Sequence, residues 1–384
     1  MPPMVLGYID RLTRIGCRLA FRISVRSERV FCYVSRPSSG PGSFSTRIAE
    51  VPCRVWMRER KMDASTRQQE HHTGSSAAAA LVARRLAVVT VTYNSASVLS
   101  GLLDSLNAGL EGVEQYEVIV VDNDSHDHSV DLALAHPIGA RVIRTGRNAG
   151  YSAAINAATA TIDPSTDLLV LNPDIRLQRG CISSLYAGLR SAGVAVPQVL
   201  GEDGGISRSI RREPSLVTAW SEALLGGTLA ARLGLGEIVD GAAVYREGGP
   251  IEWATGAILL VSAEARKAVG EWDESFFLYS EEVDYLRRVR TAGLEVLYVP
   301  QALAVHIGGD YHSSPFLTAL MTANRIKYYR RYHNPSASVL FRLGIIIGEA
   351  IRLAVGLGHR SAFRAAVGLS DGLQADLKRL GAVQ

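Results

Sequence analysis

Four short apolar segments alternate with segments of helical periodicity in the middle of the chain. The apolar segments are LAVVTVTYN (86–94), YEVIVVDNDSHD (116–127), ARVIRT (140–145) and DLLVLNPD (167–174). The uninterrupted β-favouring run Leu168–Leu171 is typical of a strand buried on both faces of a parallel sheet. Because strands that alternate with helices form right-handed crossovers, the chain is predicted to be an α/β protein with a doubly wound, mostly parallel sheet.

The polar end of the fourth strand is the next constraint. The run stops at Asn172-Pro173-Asp174, because proline cannot continue a central strand. Asp174 is therefore predicted to lie at the carboxyl edge of the sheet, where open α/β sheets bind ligands. A carboxylate there can hold a divalent cation that in turn binds phosphate oxygens. The alternative is a turn in which Asp174 only accepts backbone hydrogen bonds.

The positive charge of the chain is concentrated at its N-terminal end. The formal net charge is +4, but residues 1–85 hold 15 Lys/Arg and 6 Asp/Glu, which leaves 26 basic and 31 acidic residues in 86–384. The main domain is therefore not expected to bind nucleic acid. Residues 1–85 are expected to be a basic, poorly ordered extension or linker. A basic helix over residues 8–33 is the alternative.

Cysteine use and hydropathy indicate the compartment. Cys17, Cys32, Cys53 and Cys181 include no CxxC pair, so a reducing compartment fits better than a disulfide framework. No apolar run reaches the roughly 20 residues of a membrane span, and no secretory signal is recognisable. A cytoplasmic protein is expected, with peripheral contact on the inner face of the membrane through amphipathic helices in residues 336–384. Packing of these helices back onto the domain is the alternative.

Seven segments resemble, in order and spacing, the family 2 glycosyltransferases of the GT-A fold, particularly the bacterial rhamnosyltransferase-like branch. They are VTYN (91–94), VDNDS (121–125), GRNAGYSAAIN (146–156), LNPD (171–174), WATGA (253–257), FFLYSEEVDYLRR (276–288) and VHIGG (305–309). The resemblance covers residues 86–335. It implies a GT-A domain, Rossmann-like in its sheet, with a nucleotide-sugar half at 86–195 and an acceptor half at 196–335.

The resemblance implies a donor site for a nucleotide-diphosphate-sugar and a bound metal ion. Asp122 would hydrogen-bond the pyrimidine ring, and Asp174 would bind Mg²⁺ or Mn²⁺ in the family's DxD element, whose first position is Asn172 here. His306 would complete the metal shell, with a structural histidine as the alternative. The residues that would line the base and ribose pocket or lie over the nucleotide are Thr92, Tyr93, Asn94, Arg147 and Asn148.

An acidic cluster at the start of a predicted helix carries the implied chemistry. First-turn acids are ordinary helix-dipole partners, but inverting sugar transfer needs one carboxylate to take a proton from the acceptor hydroxyl. The resemblance places this base at Glu282, where the family usually has Asp, with Glu281 as the second candidate. The acceptor contacts that it implies are Trp253, Gly256 and Asp284.

Two basic groups are further candidates for phosphate contacts. One is formed by Arg208, Arg211 and Arg212, which could meet a diphosphate or lie on a solvated loop. The other is a basic, tyrosine-rich helix at 325–332. This helix would suit a phosphate-bearing lipid acceptor at a membrane, or be a solvated helix with a tyrosine-lined inner face.

The predicted function is that of a metal-dependent, inverting hexosyltransferase. It would move L-rhamnose from dTDP-L-rhamnose to a lipid-linked or cell-envelope glycan; the sugar rests on the resemblance alone. Alternatives left open are a UDP-sugar transferase, for galactofuranose or N-acetylglucosamine, and a degenerate nucleotide-sugar-binding module, which Asn172 and Glu282 allow. A nucleotidyltransferase would need a Gly-rich, Lys-bearing loop after the first strand, and VTYNSAS (91–97) is not one. The oligomeric state is not predicted.

Overall fold

The structure is a computed structural model that describes residues 84–308 and 314–369, together with three N-terminal strands. These strands are β1 (Ala20–Arg26), β2 (Arg29–Pro37) and β3 (Phe44–Glu50), and they pair antiparallel in the order β1-β2-β3. The helix considered for residues 8–33 is thus wrong from Ala20 onward. The segment AFRISVR alternates apolar and polar residues with a period of two, which favours a strand over a helix. The remainder of the predicted extension lies outside the described residues.

The chain divides into two units, Met1–Ala77 and Ala78–Gln384. The second unit contains the strands that lie between residues 85 and 306. They are β4 (Arg85–Thr92), β5 (Gln115–Asp122), β6 (Arg141–Arg144), β7 (Asp167–Leu171), β8 (Ile175–Leu177), β9 (Val194–Leu200), β10 (Ile210–Arg211), β11 (Gly249–Pro250), β12 (Trp253–Ala254), β13 (Ile258–Val261) and β14 (Val296–His306).

Helices connect these strands and continue beyond the last one. They are α1 (Ala96–Gly109), α2 (Ser129–Ala135), α3 (Tyr151–Thr159), α4 (Cys181–Leu189), α5 (Leu216–Leu225), α6 (Gly227–Arg232), α7 (Ala242–Glu247), α8 (Ala263–Val269), α9 (Glu281–Thr291), α10 (Pro315–Tyr332), α11 (Pro335–Ile351) and α12 (Leu357–Val367).

One large sheet organises the second unit. Its strand order is β11-β14-β9-β13-β7-β4-β5-β6, and β8 pairs with β14 outside this path. Strands β4, β5, β6, β7, β9 and β14 run in one direction, while β8, β11 and β13 run in the other. The predicted doubly wound, mostly parallel α/β sheet is confirmed. The insertion of β13 between β7 and β9 makes the sheet mixed.

Both faces of the sheet are covered. Along β4, Val89 belongs to a core cluster on one face of the sheet and Val88 to the cluster on the opposite face. Every residue of β7 is buried. The apolar run of β7 therefore has the two-sided burial that the sequence predicted, whereas β6, the last strand of the sheet, is only partly buried.

The C-terminal helices pack onto α5 and α10 through a third, smaller core. Tyr329 of α10 stacks on Phe341 of α11, with ring centroids 3.8 Å apart. Gly344 lies under the indole of Trp220, where a Cβ atom would be 3.3 Å from Nε1. The alternative of helices packed back onto the domain therefore holds for this face. No helix among residues 84–308 and 314–369 is both long and apolar enough to cross a bilayer.

Candidate functional site

Asp122 is fixed at the carboxyl edge between β4 and β5. Its Oδ1 accepts a hydrogen bond of 3.1 Å from the hydroxyl of Thr92, and its Oδ2 accepts one of 3.1 Å from the backbone N–H of Ser125. Thr92 and Asp122 are both buried. A carboxylate has about four lone-pair positions, so Asp122 keeps capacity to accept a hydrogen bond from a ligand at this edge.

The turn after β4 is locked to the turn after β5. Asn94 has a left-handed backbone with φ 51°, its N–H donates to Ser125 Oγ at 2.9 Å, and its Oδ1 accepts from His126 N at 2.8 Å. The neighbouring Tyr93 keeps 38% of its surface exposed. The residues predicted for the base and ribose pocket thus lie together, and the Tyr93 ring is available at the surface directly after Thr92, which bonds Asp122.

The loop after β6 runs tightly against the segment that precedes α9. Asn148 is buried, and its Oδ1 accepts from the N–H of Gly150 at 3.2 Å. Gly150 has φ 90°, and a Cβ atom there would overlap the carbonyl oxygen of Phe277. Tyr151 N–H donates to this same oxygen at 2.8 Å. Arg147, by contrast, is exposed. The glycine is therefore required for the close approach of the two halves of the predicted site.

Asp174 and His306 are brought together from strand ends that are distant in the sequence. His306 Nε2 lies 3.1 Å from Asp174 Oδ2. Asp174 Oδ1 is buried and has no hydrogen-bond partner among the described residues. A Cβ atom on Gly308 would overlap Asp174 Oδ2, so only glycine allows the backbone to pass here. An unpaired buried carboxylate oxygen is costly unless a ligand satisfies it.

These residues fit a divalent cation that is only partly held by the protein. Asp174 and His306 offer an oxygen and a nitrogen donor, whereas the Asn172 amide oxygen already accepts a 2.9 Å bond from the hydroxyl of Tyr151. The described residues contain no group of three or more His, Cys, Asp or Glu side chains placed around a common point. Mg²⁺ and similar ions commonly keep several waters and phosphate oxygens beside one or two protein ligands, and this donor set suits such an arrangement.

The acid pair opens α9 after two residues with left-handed backbones, Tyr279 (φ 71°) and Ser280 (φ 73°). Glu281 is 5% exposed. Each of Glu281 and Glu282 has a buried Oε2 without a hydrogen-bond partner within the part of the chain described. Burial raises the pKa of Glu281 well above its ordinary value, and the negative charge of Glu282 adds to the shift. The two carboxylates are therefore poorly solvated and close enough that the charge of Glu282 raises the cost of charging Glu281.

Glu282 has surroundings that support its ionised form. Burial raises its pKa, while backbone hydrogen bonds at the start of α9 and the positive charge of Arg211 oppose the shift. A Cβ atom on Gly256 would lie 3.3 Å from the Cβ of Glu282. The neighbouring Ala257 carbonyl accepts a 2.9 Å bond from Asn172 N–H. The WATGA segment therefore contacts both Glu282 and the DxD-like segment.

Two of the predicted acceptor contacts are placed elsewhere. Asp284 has no exposed surface, and its oxygens accept bonds from Arg288 Nε (2.8 Å), Arg331 Nη1 (2.9 Å) and the Tyr332 hydroxyl (2.6 Å). Trp253 is 8% exposed and donates from Nε1 to the Arg212 carbonyl at 2.7 Å. Both side chains are committed to the protein interior, so the structure corrects their predicted contact with an acceptor.

Tyr151 is a site residue that the motifs contained but the sequence analysis did not assign. Burial, followed by the negative charges of Glu281, Glu282 and Asp174, raises its pKa well above the ordinary value. Its hydroxyl also donates to Asn172. The phenol therefore lies between the acid pair and the Asp174 side of the site. An aromatic residue at the first helical position after the obligate Gly150 was the available signal.

The three arginines between β9 and α5 have separate roles. Arg208 pairs with Asp240, with Nε and Oδ1 2.6 Å apart. Arg212 donates from Nη1 to the backbone carbonyl of Gly236 at 2.8 Å. Arg211 alone acts on the acid pair, since its charge lowers the pKa of Glu282.

The basic, tyrosine-rich helix α10 has its tyrosines inside. Tyr328 and Tyr329 are buried. Arg325 pairs with Glu222 and Glu237, and its Nη2 is 2.8 Å from Glu222 Oε2. The buried tyrosines therefore form the inner face of α10, as the alternative interpretation of this helix predicted.

Comparison with known proteins identifies the family of this chain. The family model for glycosyl transferase family 2 matches residues 87–247. The chain is 31% identical over 240 residues to an N-acetylglucosaminyl-diphospho-decaprenol L-rhamnosyltransferase of Mycobacterium tuberculosis (strain ATCC 25618 / H37Rv). The aligned region covers 58% of this chain and 75% of that protein. It is 25% identical over 242 residues to the rhamnosyltransferase WbbL of Escherichia coli (strain K12), covering 60% and 87% of the two chains.

Solved structures show more distant likeness. The mannosyltransferase PcManGT from Pyrobaculum calidifontis, in complex with GDP-Man and Mn²⁺, superposes with a TM-score of 0.45 at 15% identity, covering 78% of this chain and 84% of that one. The sequence relationship to the mycobacterial protein is much stronger, because it combines 31% identity with three quarters of that protein's length. This chain is therefore a member of glycosyl transferase family 2, similar to the rhamnosyltransferases.

Proposed function

We propose that this chain is an inverting glycosyltransferase that moves L-rhamnose from dTDP-L-rhamnose to a lipid-linked glycan acceptor at the cytoplasmic face of a membrane. The observation that carries the mechanism is the convergence of Glu282, whose buried Oε2 has no hydrogen-bond partner among the described residues, with the Asp174 and His306 pair around the buried phenol of Tyr151. The relatives' names support the sugar and the kind of acceptor.

The proposed reaction is a single displacement. A carboxylate oxygen of Glu282 takes the proton from an acceptor hydroxyl as the hydroxyl oxygen attacks the anomeric carbon. The bond from that carbon to the diphosphate oxygen breaks on the opposite face, so the configuration inverts. The leaving group is the nucleoside diphosphate, and the products are the glycosylated acceptor and the protonated glutamate.

The residues at the strand ends bind the donor. Asp122 accepts a hydrogen bond from the base, while Tyr93 provides an exposed ring beside it. Asp174 and His306 would hold Mg²⁺ or Mn²⁺, which when bound supplies positive charge that stabilises the diphosphate leaving group. Tyr151 orients Asn172 through its 2.9 Å hydrogen bond and separates the two negatively charged parts of the site.

A nucleotide-binding screen tests the donor assignment. Purified protein is heated with dTDP, UDP, GDP or CDP, each with Mn²⁺ or with EDTA, because a ligand that binds only the folded state raises the unfolding temperature. We expect the largest increase with dTDP and Mn²⁺. A preference for UDP would replace the rhamnosyl assignment with a UDP-sugar transferase.

Turnover separates an enzyme from a binding module. We expect slow hydrolysis of dTDP-L-rhamnose without acceptor, lost in Glu282→Gln and in Asp174→Ala. Glu264→Gln, an exposed glutamate on α8, is the matched control and should hydrolyse the donor like the unmodified chain. Nucleotide binding without any turnover would favour the degenerate nucleotide-sugar-binding module.

A further inference from the structure

Exposed aliphatic side chains are concentrated on two pairs of consecutive helices. Of the seventeen exposed large hydrophobic residues in the described part of the chain, six lie in residues 217–235 and six in residues 339–357. The first range covers α5, α6 and the turn after them, and the second covers most of α11 and the start of α12. Single exposed hydrophobic residues are normal on protein surfaces, whereas a concentration of this kind marks an interaction site.

Hydrogen bonds join the two ranges into one surface. Arg352, directly after α11, donates from Nη2 to the carbonyl oxygens of Glu222 (2.7 Å) and Ala223 (3.2 Å) in α5. The sequence neighbours of these residues, Leu224 and Ile351, are 64% and 62% exposed. The ends of α5 and α11 therefore meet, and each carries an exposed aliphatic residue next in sequence to this contact. The exposed aliphatic residues of 217–235 and 339–357 are called the apolar surface below.

The charge next to the apolar surface is positive. Residues 335–369 hold four arginines and a single glutamate, Glu349. The Glu349 carboxylate is 2.8 Å from His359 Nδ1. The one glutamate of α5, Glu222, is bound by Arg325. The exposed arginines in residues 217–235 and 335–369 are Arg232, Arg342, Arg360 and Arg364.

The composition of the apolar surface favours lipid over a protein partner. Its exposed hydrophobic members are all Leu, Ile or Val, whereas the cores of protein interfaces are enriched in Tyr, Trp, Phe and Met. Exposed aliphatic side chains together with exposed arginines in the same helices match an interface between acyl chains and anionic headgroups. We infer that the apolar surface binds an anionic lipid bilayer, with α5, α6 and α11 lying in the headgroup region.

A direct structural connection links this surface to the acid pair. Asn324 of α10 donates from Nδ2 to the carbonyls of Leu278 (2.9 Å) and Tyr279 (3.2 Å), in the loop before Glu281. The next residue, Arg325, binds Glu222 of α5. Delivery of a lipid-linked acceptor from the bilayer to the acid pair rests on the proposed function. Lipid binding itself is inferred only from the exposed aliphatic side chains and the neighbouring positive charge.

Vesicle binding of the full chain tests this inference. Purified protein is sedimented with phosphatidylcholine vesicles and with vesicles in which a third of the lipid is phosphatidylglycerol. We expect binding to the anionic vesicles that weakens as salt is added. The quadruple variant Leu224→Ser, Leu229→Ser, Ile351→Ser, Val355→Ser should bind about tenfold more weakly or worse, because its aliphatic insertion is lost.

Matched controls keep the result specific. Leu134→Ser with Ile206→Ser removes exposed aliphatic residues from elsewhere, at 61% and 49% exposure, and should bind vesicles like the unmodified chain. The basic segment 1–85 is present in every variant, so its attraction to lipid is constant. Vesicle binding by the quadruple variant equal to that of this control would overturn the inference.

Two further measurements complete the test. If the unmodified chain ignores anionic vesicles but forms dimers that the quadruple variant does not form, the apolar surface is a contact between copies and the inference is wrong. The increase in unfolding temperature with dTDP and Mn²⁺ is recorded on the same samples. A variant that keeps this increase but loses vesicle binding separates the lipid surface from the donor site, and a chain that binds vesicles without any nucleotide response would overturn the proposed function alone.

Discussion

At the scale of single residues, Glu281 and Glu282 show how one side chain type takes two roles. Glu281 is buried beside another carboxylate, and its burial and the negative charge of Glu282 both raise its pKa. Glu282 has the N-terminal backbone of α9 and Arg211 to support its ionised form, and it lies against Gly256. When their surroundings give two neighbouring carboxylates different pKa values, the carboxylate that stays ionised is the better candidate for the base. In this pair that carboxylate is Glu282.

The stability of the protein should depend on pH through Glu281. Its pKa is raised in the folded chain and returns to about the ordinary 4.5 on unfolding. The folded state therefore binds more protons between these two pKa values, so the free energy of unfolding falls as pH rises through that window. Glu281→Gln should be more stable than the unmodified chain at pH 8, by about 1–3 kcal/mol, and the difference should vanish towards pH 4.

Urea unfolding at several pH values measures this effect. Glu264→Gln, at an exposed position, should show no such pH-dependent gain. A Glu281→Gln variant that is less stable than the unmodified chain at every pH would show that the carboxylate is satisfied in the folded state.

Tyr151 should contribute to catalysis through Asn172. Tyr151→Phe removes a hydrogen bond whose net value is about 0.5–1.5 kcal/mol, and so kcat/KM for the donor should fall by about 2–10-fold. Tyr116→Phe, on a ring that is 40% exposed, is the control and should leave kcat/KM unchanged. Equal kcat/KM values for Tyr151→Phe and the unmodified chain would remove Tyr151 from the site.

Some of these residue roles were predictable and others were not. Asp122, Asp174 and His306 stand at strand ends, and the strand pattern alone places such residues at one edge of the sheet. Asp284 lies in the same acidic cluster as Glu282, but its partners Arg331 and Tyr332 are more than forty positions away in the sequence. Local sequence cannot show whether an acid faces a ligand or a distant arginine.

At the scale of elements, the loop from β6 to α3 is held by a backbone contact that only glycine permits. Gly150 has φ 90° and no room for a Cβ atom beside the Phe277 carbonyl, while Gly139 has φ 73° with no atom within 4 Å of the same position. Gly139→Ala should cost about 1 kcal/mol, from conformation alone. Gly150→Ala should lower the free energy of unfolding by clearly more than Gly139→Ala, because the contact between Gly150 and the Phe277 carbonyl must also open.

Thermal unfolding of both glycine variants gives the comparison, and the response to dTDP adds a second readout. Gly150→Ala should also weaken the nucleotide response, since it displaces the loop that carries Asn148. Equal stability losses for Gly139→Ala and Gly150→Ala would mean that the Phe277 segment moves away freely.

Strands with local signals were predictable at this scale, and long-range pairings were not. β4, β5, β6 and β7 follow the four apolar segments. Two-sided burial requires the uninterrupted apolar run of β7, whereas the edge strand β6 is only partly buried. The antiparallel insertion of β13 beside β7 depends on pairing between residues nearly ninety positions apart, such as Ile258 and Leu171. Sequence periodicity has no information on such a partner.

At the scale of the whole second unit, buried ion pairs connect helix α9 to helix α10. Asp284 receives Arg288, Arg331 and Tyr332 and has no exposed surface. Asp284→Asn leaves the arginines without their counter-charge and should destabilise the protein by about 3–5 kcal/mol. Asp131→Asn, in an exposed pair with His128, should change stability by less than about 0.5 kcal/mol.

Chemical unfolding of these two aspartate variants distinguishes the roles considered for Asp284. A marginal stability change in Asp284→Asn together with a raised acceptor KM would support the contact between Asp284 and the acceptor that the sequence predicted. Loss of stability without any change in acceptor KM among the folded molecules is the result that burial predicts.

The central claim is that Glu282 is the base in sugar transfer, and one variant tests it most directly. The rate of rhamnose transfer from dTDP-L-rhamnose is measured for the unmodified chain and for Glu282→Gln, alongside the increase in unfolding temperature with dTDP and Mn²⁺. We predict that kcat falls by about 10²–10⁴-fold while the temperature increase is retained. Transfer at an undiminished rate by Glu282→Gln would contradict the account.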